Sequence, residues 1–279
     1  RPMTDAILGN EAEIRLGVFV GIFALMAVLE AIAPKRARAH SRSVRWLGNL
    51  GVVVLNTLLV RLLFPFAAVG LALAGEREGW GLLNNVELPG WLAVLLAVVV
   101  LDFIIYLQHV IFHAVPLLWR LHRMHHTDLD LDVTSGARFH PVEIVISMVI
   151  KMAAVVAVGP PAVAVVIFEV VLNATAMFNH SNLSIPAPVD RLLRLMIVTP
   201  DMHRVHHSAV PNETNSNFGF NLPWWDRLFG TYRAQPAAGH AGLTIGIEEF
   251  RSPRGPSLDR LLLQPLKGEA GIYPLGRRR

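Results

Sequence analysis

The chain has 279 residues, 53% apolar and only 16% charged, with a mean hydropathy of +0.46 and a formal net charge of +4. Soluble domains carry about a quarter charged residues, so this balance points to a bilayer. There is no cysteine, which excludes thiolate zinc sites, iron–sulfur clusters and disulfides without identifying a compartment, and no nucleic-acid partner is expected.

A membrane helix needs about 20 mostly apolar residues. The first such run is Ile14 to Ile32. A secretory leader is the rival reading, because Ala31-Ile32-Ala33 resembles a cleavage site. Asp5, Glu11 and Glu13 stand where a basic segment belongs, however, and Pro34 and a basic cluster follow, so an uncleaved anchor is expected. The numbering opens on Arg1 rather than methionine, which leaves room for a longer chain. The second run, Trp46 to Ala74, is interrupted by Arg61 and Pro65, with a kink expected at the proline. The third runs from Trp91 to about Tyr106, and its helical pattern continues to His113. The fourth is a pair, Val142 to Val158 and Ala162 to Phe178, separated by Gly159-Pro160-Pro161, which reads as a helical hairpin.

The expected fold is therefore all-α: an integral membrane bundle of about four spanning or re-entrant elements with a cytoplasmic helical cap. Residues 1–90 form an N-terminal transmembrane region of two spans, 91–235 a histidine-bearing core, and 236–279 a cytoplasmic tail wrapping the inner face. Orientation follows from Lys35, Arg36, Arg38, Arg42 and Arg45, which crowd the first connection with no acid among them; short basic loops stay cytoplasmic. A multi-pass protein, of a bacterial inner membrane, is expected. Arg277–Arg279 either touch anionic headgroups or form a solvated tail.

Twelve histidines occur, ten of them between positions 109 and 207. Eight fall into three groups: His109-x-x-x-His113, His122-x-x-His125-His126 and His203-x-x-His206-His207. Residues three and four apart share a helix face. Each HxxHH triplet thus fills a sector of about 100°, enough to offer ligands to two neighbouring metal ions. Neutral imidazole suits iron, zinc and copper, and spacing does not choose among them. A lone buried histidine is usually a hydrogen-bonded core residue, which is the reading kept for His40 and His240. His180, at the inner end of the hairpin's return arm, is favoured as a ninth ligand, with Glu169 and Asn173 on about the same face. His140, before Pro141, stands between a helix-start role and ligation. A ligating histidine commonly donates its second N–H to a carboxylate. Asp102, two turns before His109 with Tyr106 between, and Asp201, two residues before His203, are the candidates; helix packing is the alternative for Asp102.

His109–His113 (HVIFH), His122–His126 (HRMHH) and His203–His207 (HRVHH), in that order around two membrane segments, resemble the fatty acid hydroxylase/sterol desaturase superfamily. The flanks agree: Arg138-Phe-His-Pro-Val-Glu143, Asn179-His-Ser-Asn182, Thr199-Pro200 and Trp225-Asp-Arg-Leu-Phe-Gly-Thr-Tyr232. The resemblance covers about residues 98–233. It implies a non-haem di-iron membrane enzyme that uses O2 and two electrons on a lipid C–H bond, with zinc able to replace iron on purification. It implies that His109, His113, His122, His125, His126, His203, His206 and His207 are metal ligands and that His180 matches an additional histidine. No haem-binding or dinucleotide module is evident, so electrons would come from a separate donor, such as a cytochrome b5-like protein or a ferredoxin with its reductase. Glu-x-x-His pairs of soluble di-iron bundles and the HExxH motif are both absent. A non-redox di-zinc lipid hydrolase, or a silent lipid-binding relative, is the second functional class. Sterol, fatty acyl and carotenoid substrates all remain compatible, as do hydroxylation and desaturation.

Overall fold

Proline and glycine set the punctuation of the fold. In the computed structural model, which describes residues 2–252 and 257–275, a short helix α1 (Pro2–Gly9) leads into α2 (Glu11–Ile32). Helix α3 (Arg42–Leu63) stops two residues before Pro65, and α4 (Ala67–Glu78) resumes beyond it, so the expected kink is a full break. Proline disfavours helical dihedrals in the residue before it, and Phe64 has left the helical region at φ −129°, ψ 67°. Then come α5 (Gly90–Ala114), α6 (Pro116–His126), α7 (Pro141–Val158) and α8 (Ala162–Asn179). Val158 ends α7 because Gly159 takes a left-handed conformation (φ +65°). A Cβ there would lie 2.4 Å from the Trp80 carbonyl oxygen, so the hairpin tip admits no side chain.

Five stretches among the described residues are helical, long and apolar enough to cross a membrane: Glu11–Ile32, Arg42–Asn85, Gly90–Ala114, Pro141–Val158 and Ala162–Asn179. The expected four elements thus resolve into five helices, with both hairpin arms full length. Within α8's span 56% of residues are buried inside the protein, against 6% for α2. Helix α8 is therefore the bundle's centre and α2 lies at its edge. One apolar cluster joins α4, α7 and α8 through Ala72, Val155 and Val165; another joins α5, α7 and α8 through Leu101, Ala154 and Phe168. No strand occurs among the described residues, only two isolated bridges.

The remaining chain forms a cap at the histidine-bearing end of the bundle: α9 (Ala187–Leu193), α10 (Pro200–His206), α11 (Pro211–Thr214), α12 (Trp224–Leu228), α13 (Gly239–Gly242) and α14 (Leu258–Leu263). Buried polar pins tie cap to bundle. Arg45 of α3 donates two bonds of 2.8 Å to the Asp128 carboxylate and one of 2.6 Å to Asp132. Glu30 of α2 accepts from the backbone N–H groups of Val133 (2.7 Å) and Asn182 (3.0 Å). The tail is part of the cap: Arg123 donates to the Gln264, Lys267 and Glu269 carbonyls, and Tyr273 stacks on Trp119 at 5.5 Å. Arg277–Arg279 lie outside the described residues.

Candidate metal centre

Each histidine group is placed by a helix whose start is written just before it. Val115 is extended and Pro116 opens α6 at its first position, so the chain turns sharply and brings His122, His125 and His126 back against the inner end of α5. Thr199 is the N-cap of α10, its side chain accepting from Met202 N, and Pro200 follows at the first helical position. His203, His206 and His207 then share a face directed at α6.

Nine histidines converge and all are buried. They divide into two sets whose ligand atoms lie within 4.8 Å of one another: His109, His113, His122, His126 and His206; and His125, His180, His203 and His207. The two HxxHH boxes are shared reciprocally. Box two sends its i,i+4 pair, His122 and His126, to the five-member set and His125 to the other. Box three sends His203 and His207 to the four-member set and His206 across.

Tautomers follow from the outward hydrogen bonds. The Nδ1–H of His109 donates to Phe218 O (2.7 Å), that of His206 to Ser216 O (2.7 Å), that of His113 to Asn215 Oδ1 (3.1 Å), and that of His180 to Ala176 O (2.7 Å). The Nδ1–H of His122 donates to Glu143 Oε1 at 2.7 Å. With Nδ1 carrying the proton, each Nε2 offers a bare lone pair inward. His109 and His122 Nε2 nevertheless lie 3.1 Å apart, and His180 Nε2 stands 3.0 Å from His125 Nε2 and 3.1 Å from His203 Nε2. The inward Nε2 atoms of His113 and His206 find no hydrogen-bond partner at all. The facing lone pairs of His109 and His122 repel unless a cation lies between them, and the donor set suits a metal ion. Protonation is a poor substitute. Burial, as the largest cause, holds His122 and His180 down to about 3, and together with neighbouring rings it holds His125, His126, His203, His206 and His207 well below the usual imidazole range.

Other expected residues fall elsewhere. His140 lies outside both sets. Its Nδ1 accepts from Val142 N at the start of α7, and Nε2–H donates to Leu262 O (3.2 Å). Asp102 does not reach His109: its carboxylate accepts from Trp225 Nε1 (2.8 Å) and Leu222 N (3.3 Å). Seven residues along a helix separate Asp102 from His109 by about 10 Å, so a shared face fixes direction but not contact. Tyr106 bonds Thr231 rather than a histidine. Asp201 pairs with Lys35 (2.6 Å) and Arg204. Glu169 pairs with Lys151 (2.6 Å), and Asn173 donates to the Glu169 carbonyl. His40 bonds Asp130, and His240 approaches Asp201.

The supporting groups that sequence reading missed are Glu143 and the loop 215–221. Glu143 was visible as the last residue of the Arg138–Glu143 flank, with no role attached, and packing of α7 beside α6 brings it to His122. Loop carbonyls carry no sequence signal, because every residue has one. Asn217, at φ +51°, shapes this loop, and the Asp226 carboxylate holds it by accepting from Phe218 N and Gly219 N at 2.8 Å. Above the rings, Phe139 stacks on His125 at 4.4 Å and Phe220 lies 5.1 Å from His109, an apolar lid toward the bundle. Replacing Glu143 with alanine is expected to weaken metal retention about 10–100-fold, the usual effect of removing a histidine's carboxylate partner. Chelator competition on the purified protein reads this directly, and unchanged retention would make Glu143 a packing residue only.

The fatty acid hydroxylase family model matches residues 94–231. Similar curated proteins include an ornithine lipid hydroxylase of Rhizobium tropici, 27% identical over 78% of this chain and 67% of that protein. An alkylglycerol monooxygenase of Xenopus tropicalis is 27% identical over 82% of this chain and 50% of its own. A fatty acid hydroxylase of a Lecanicillium species is 30% identical over 50% of this chain and 42% of its own. The chain therefore spans two thirds of the first relative and about half or less of the others. No solved structure shows a significant match. The matched segment, just under half of the chain, is a fatty acid hydroxylase domain, and it holds all three histidine boxes together with His180 and Glu143.

Proposed function

We propose that the chain is an O2-dependent monooxygenase that holds two iron ions in the two histidine sets and hydroxylates a membrane lipid, with electrons from a separate donor. The observation that carries this reading is the partition of nine buried histidines into two adjacent sets whose ligand atoms lie within 4.8 Å of one another. A hydrolytic zinc site typically needs three protein ligands, and nine exceed that. The relatives named for ornithine lipid and alkylglycerol favour a chain-bearing lipid over a sterol or carotenoid, and hydroxylation over desaturation.

Iron held there would supply O2 activation, one oxygen atom entering a C–H bond and the other leaving as water with two electrons and two protons. The chain's own residues do the rest. Glu143, Asn215 and the carbonyls of Ser216 and Phe218 fix ring orientation. Phe139 and Phe220 keep water from the side facing the bundle and present an apolar surface to an acyl or alkyl chain. His109 lies 19 residues, about 28 Å, along α5 from Gly90, near the limit of a ~30 Å hydrocarbon layer. A chain carbon close to a headgroup is thus within reach. The basic first connection supports a centre on the cytoplasmic side of the membrane.

The test is protein purified from iron-supplemented cells and reconstituted in lipid nanodiscs with reductant and an electron carrier. Lipid-dependent O2 uptake, with a product one oxygen atom heavier, is expected. Stoichiometric zinc retained despite available iron, together with lipid hydrolysis and no O2 uptake, would replace this reading with the hydrolase.

A further inference from the structure

The cap exposes large apolar side chains in one place. Leu192, Leu195 and Met196, on and just after α9, are 68%, 55% and 60% exposed, and Leu228 and Phe229 at the end of α12 are 69% and 52% exposed. The two segments form one surface, because Trp224 Nε1 donates to Leu195 O (2.7 Å) and Arg227 to Arg194 O (3.0 Å). Neither helix belongs to the five long ones, so composition alone assigns both to water.

Their attachment says otherwise. Helix α12 docks on the middle of α5: the Trp225 ring lies 4.8 Å from Phe103, and Phe229 stacks on Phe103 and Tyr106 at 5.8 and 5.7 Å. Phe103 is 13 residues, about 20 Å, from Gly90, which leaves it roughly 10 Å inside the inner limit of a ~30 Å hydrocarbon layer. An element packed at that depth is beside lipid, not above it. The charges fit too. Asp190 is buried against Arg194 and Asp226 is buried, so the exposed charges on α9 and α12 are the basic Arg191 and Arg227. Interfacial helices pair an apolar face with basic residues that reach headgroup phosphates.

We propose that α9 and α12 form a platform submerged in the acyl layer of the leaflet on the metal-centre side, with Arg191 and Arg227 reaching lipid phosphates. The platform lies next to the active machinery on both sides. Residue 198 follows α9 and leads into the Thr199 cap of the third histidine box, while Asp226 of α12 grips the loop that orients His109 and His206. The bilayer surface thereby becomes one wall that positions the centre.

The chain contains no cysteine, so single introduced cysteines are uniquely addressable. Leu192→Cys and Leu228→Cys would be spin-labelled in nanodiscs of phosphatidylcholine and phosphatidylglycerol. Accessibility to O2, which concentrates in hydrocarbon, is compared with accessibility to a water-soluble nickel chelate. Leu62→Cys on the exposed face of α3 and Asp259→Cys on the cap serve as lipid and water references. Both platform labels are expected to match the Leu62 label, with an O2-to-nickel ratio several-fold above that at position 259. Labels that behave like position 259 would overturn the proposal. So would labels shielded from both reagents, which would make the surface a protein interface with an electron donor or a second copy.

Discussion

Replacing His125 and His206 together with alanine is expected to strip the protein of both metal ions and abolish turnover. Each is the one member of its box that crosses to the other set: His125 belongs to the four-member set although its box mostly serves the five-member one, and His206 does the reverse. His206→Ala alone leaves four imidazoles in its set, whereas His125→Ala alone leaves three. The single variants should therefore differ, His125→Ala losing one metal equivalent under mild chelation and His206→Ala retaining both longer. Activity in each should fall by more than the 10–100-fold that follows loss of a supporting hydrogen bond. Metal per chain by elemental analysis, with circular dichroism to establish folding, measures this. Equal metal loss in both single variants would mean the two sets are one pool rather than two sites.

Arg45→Leu is expected to be the most damaging substitution away from the histidines. Arg45 lies in α3 yet serves the cap, its guanidinium bridging the buried carboxylates of Asp128 and Asp132, with Asn49 donating to Thr134 alongside. Burial works against the Asp128 charge, but Arg45 and Arg138 outweigh it and hold that carboxyl well below the usual range. Removing the arginine takes the main counter-ion from two buried carboxylates, leaving Asp128 the 3.5 Å pair with Arg138 and Asp132 the Trp46 N–H, a loss of about 3–5 kcal/mol. Asp128 follows His126 by two residues, so the second histidine box loosens as well. Thermal unfolding in detergent should show a large drop for Arg45→Leu. The double variant Arg45→Leu/Asp128→Leu should recover part of it, because removing both partners is less costly than orphaning one. A double variant no more stable than the single would locate the effect in packing instead.

Much of this architecture was legible because it is local. Apolar runs of span length and the Gly159-Pro160-Pro161 stop each act within a few residues, and α7 ends and α8 begins where that stop stands. The histidine boxes were legible for the same reason, since i, i+3 and i+4 on one helix fix a common face. Where the reading failed, it extended a local rule across space. Asp102 and Asp201 were chosen as carboxylate partners from helical phase and nearness along the chain. Phase says where a side chain points, but a hydrogen bond also needs a distance of about 3 Å.

That distance is decided between elements. Sequence alone determined that eight histidines occupy membrane-edge positions with metal-ligand spacing, because covalent geometry ties spacing to face; His180 was favoured as a ninth from its place at the end of the hairpin's return arm. Only the packing of α5, α6, α8 and α10 decided that they divide five and four and that each HxxHH box splits between the sets. The same packing put Glu143 of α7 beside His122 and brought the 215–221 carbonyls to His109 and His206. A helix face can be read from a period of 3.6 residues, but which other face meets it depends on contacts between residues up to about a hundred positions apart, which no local pattern encodes.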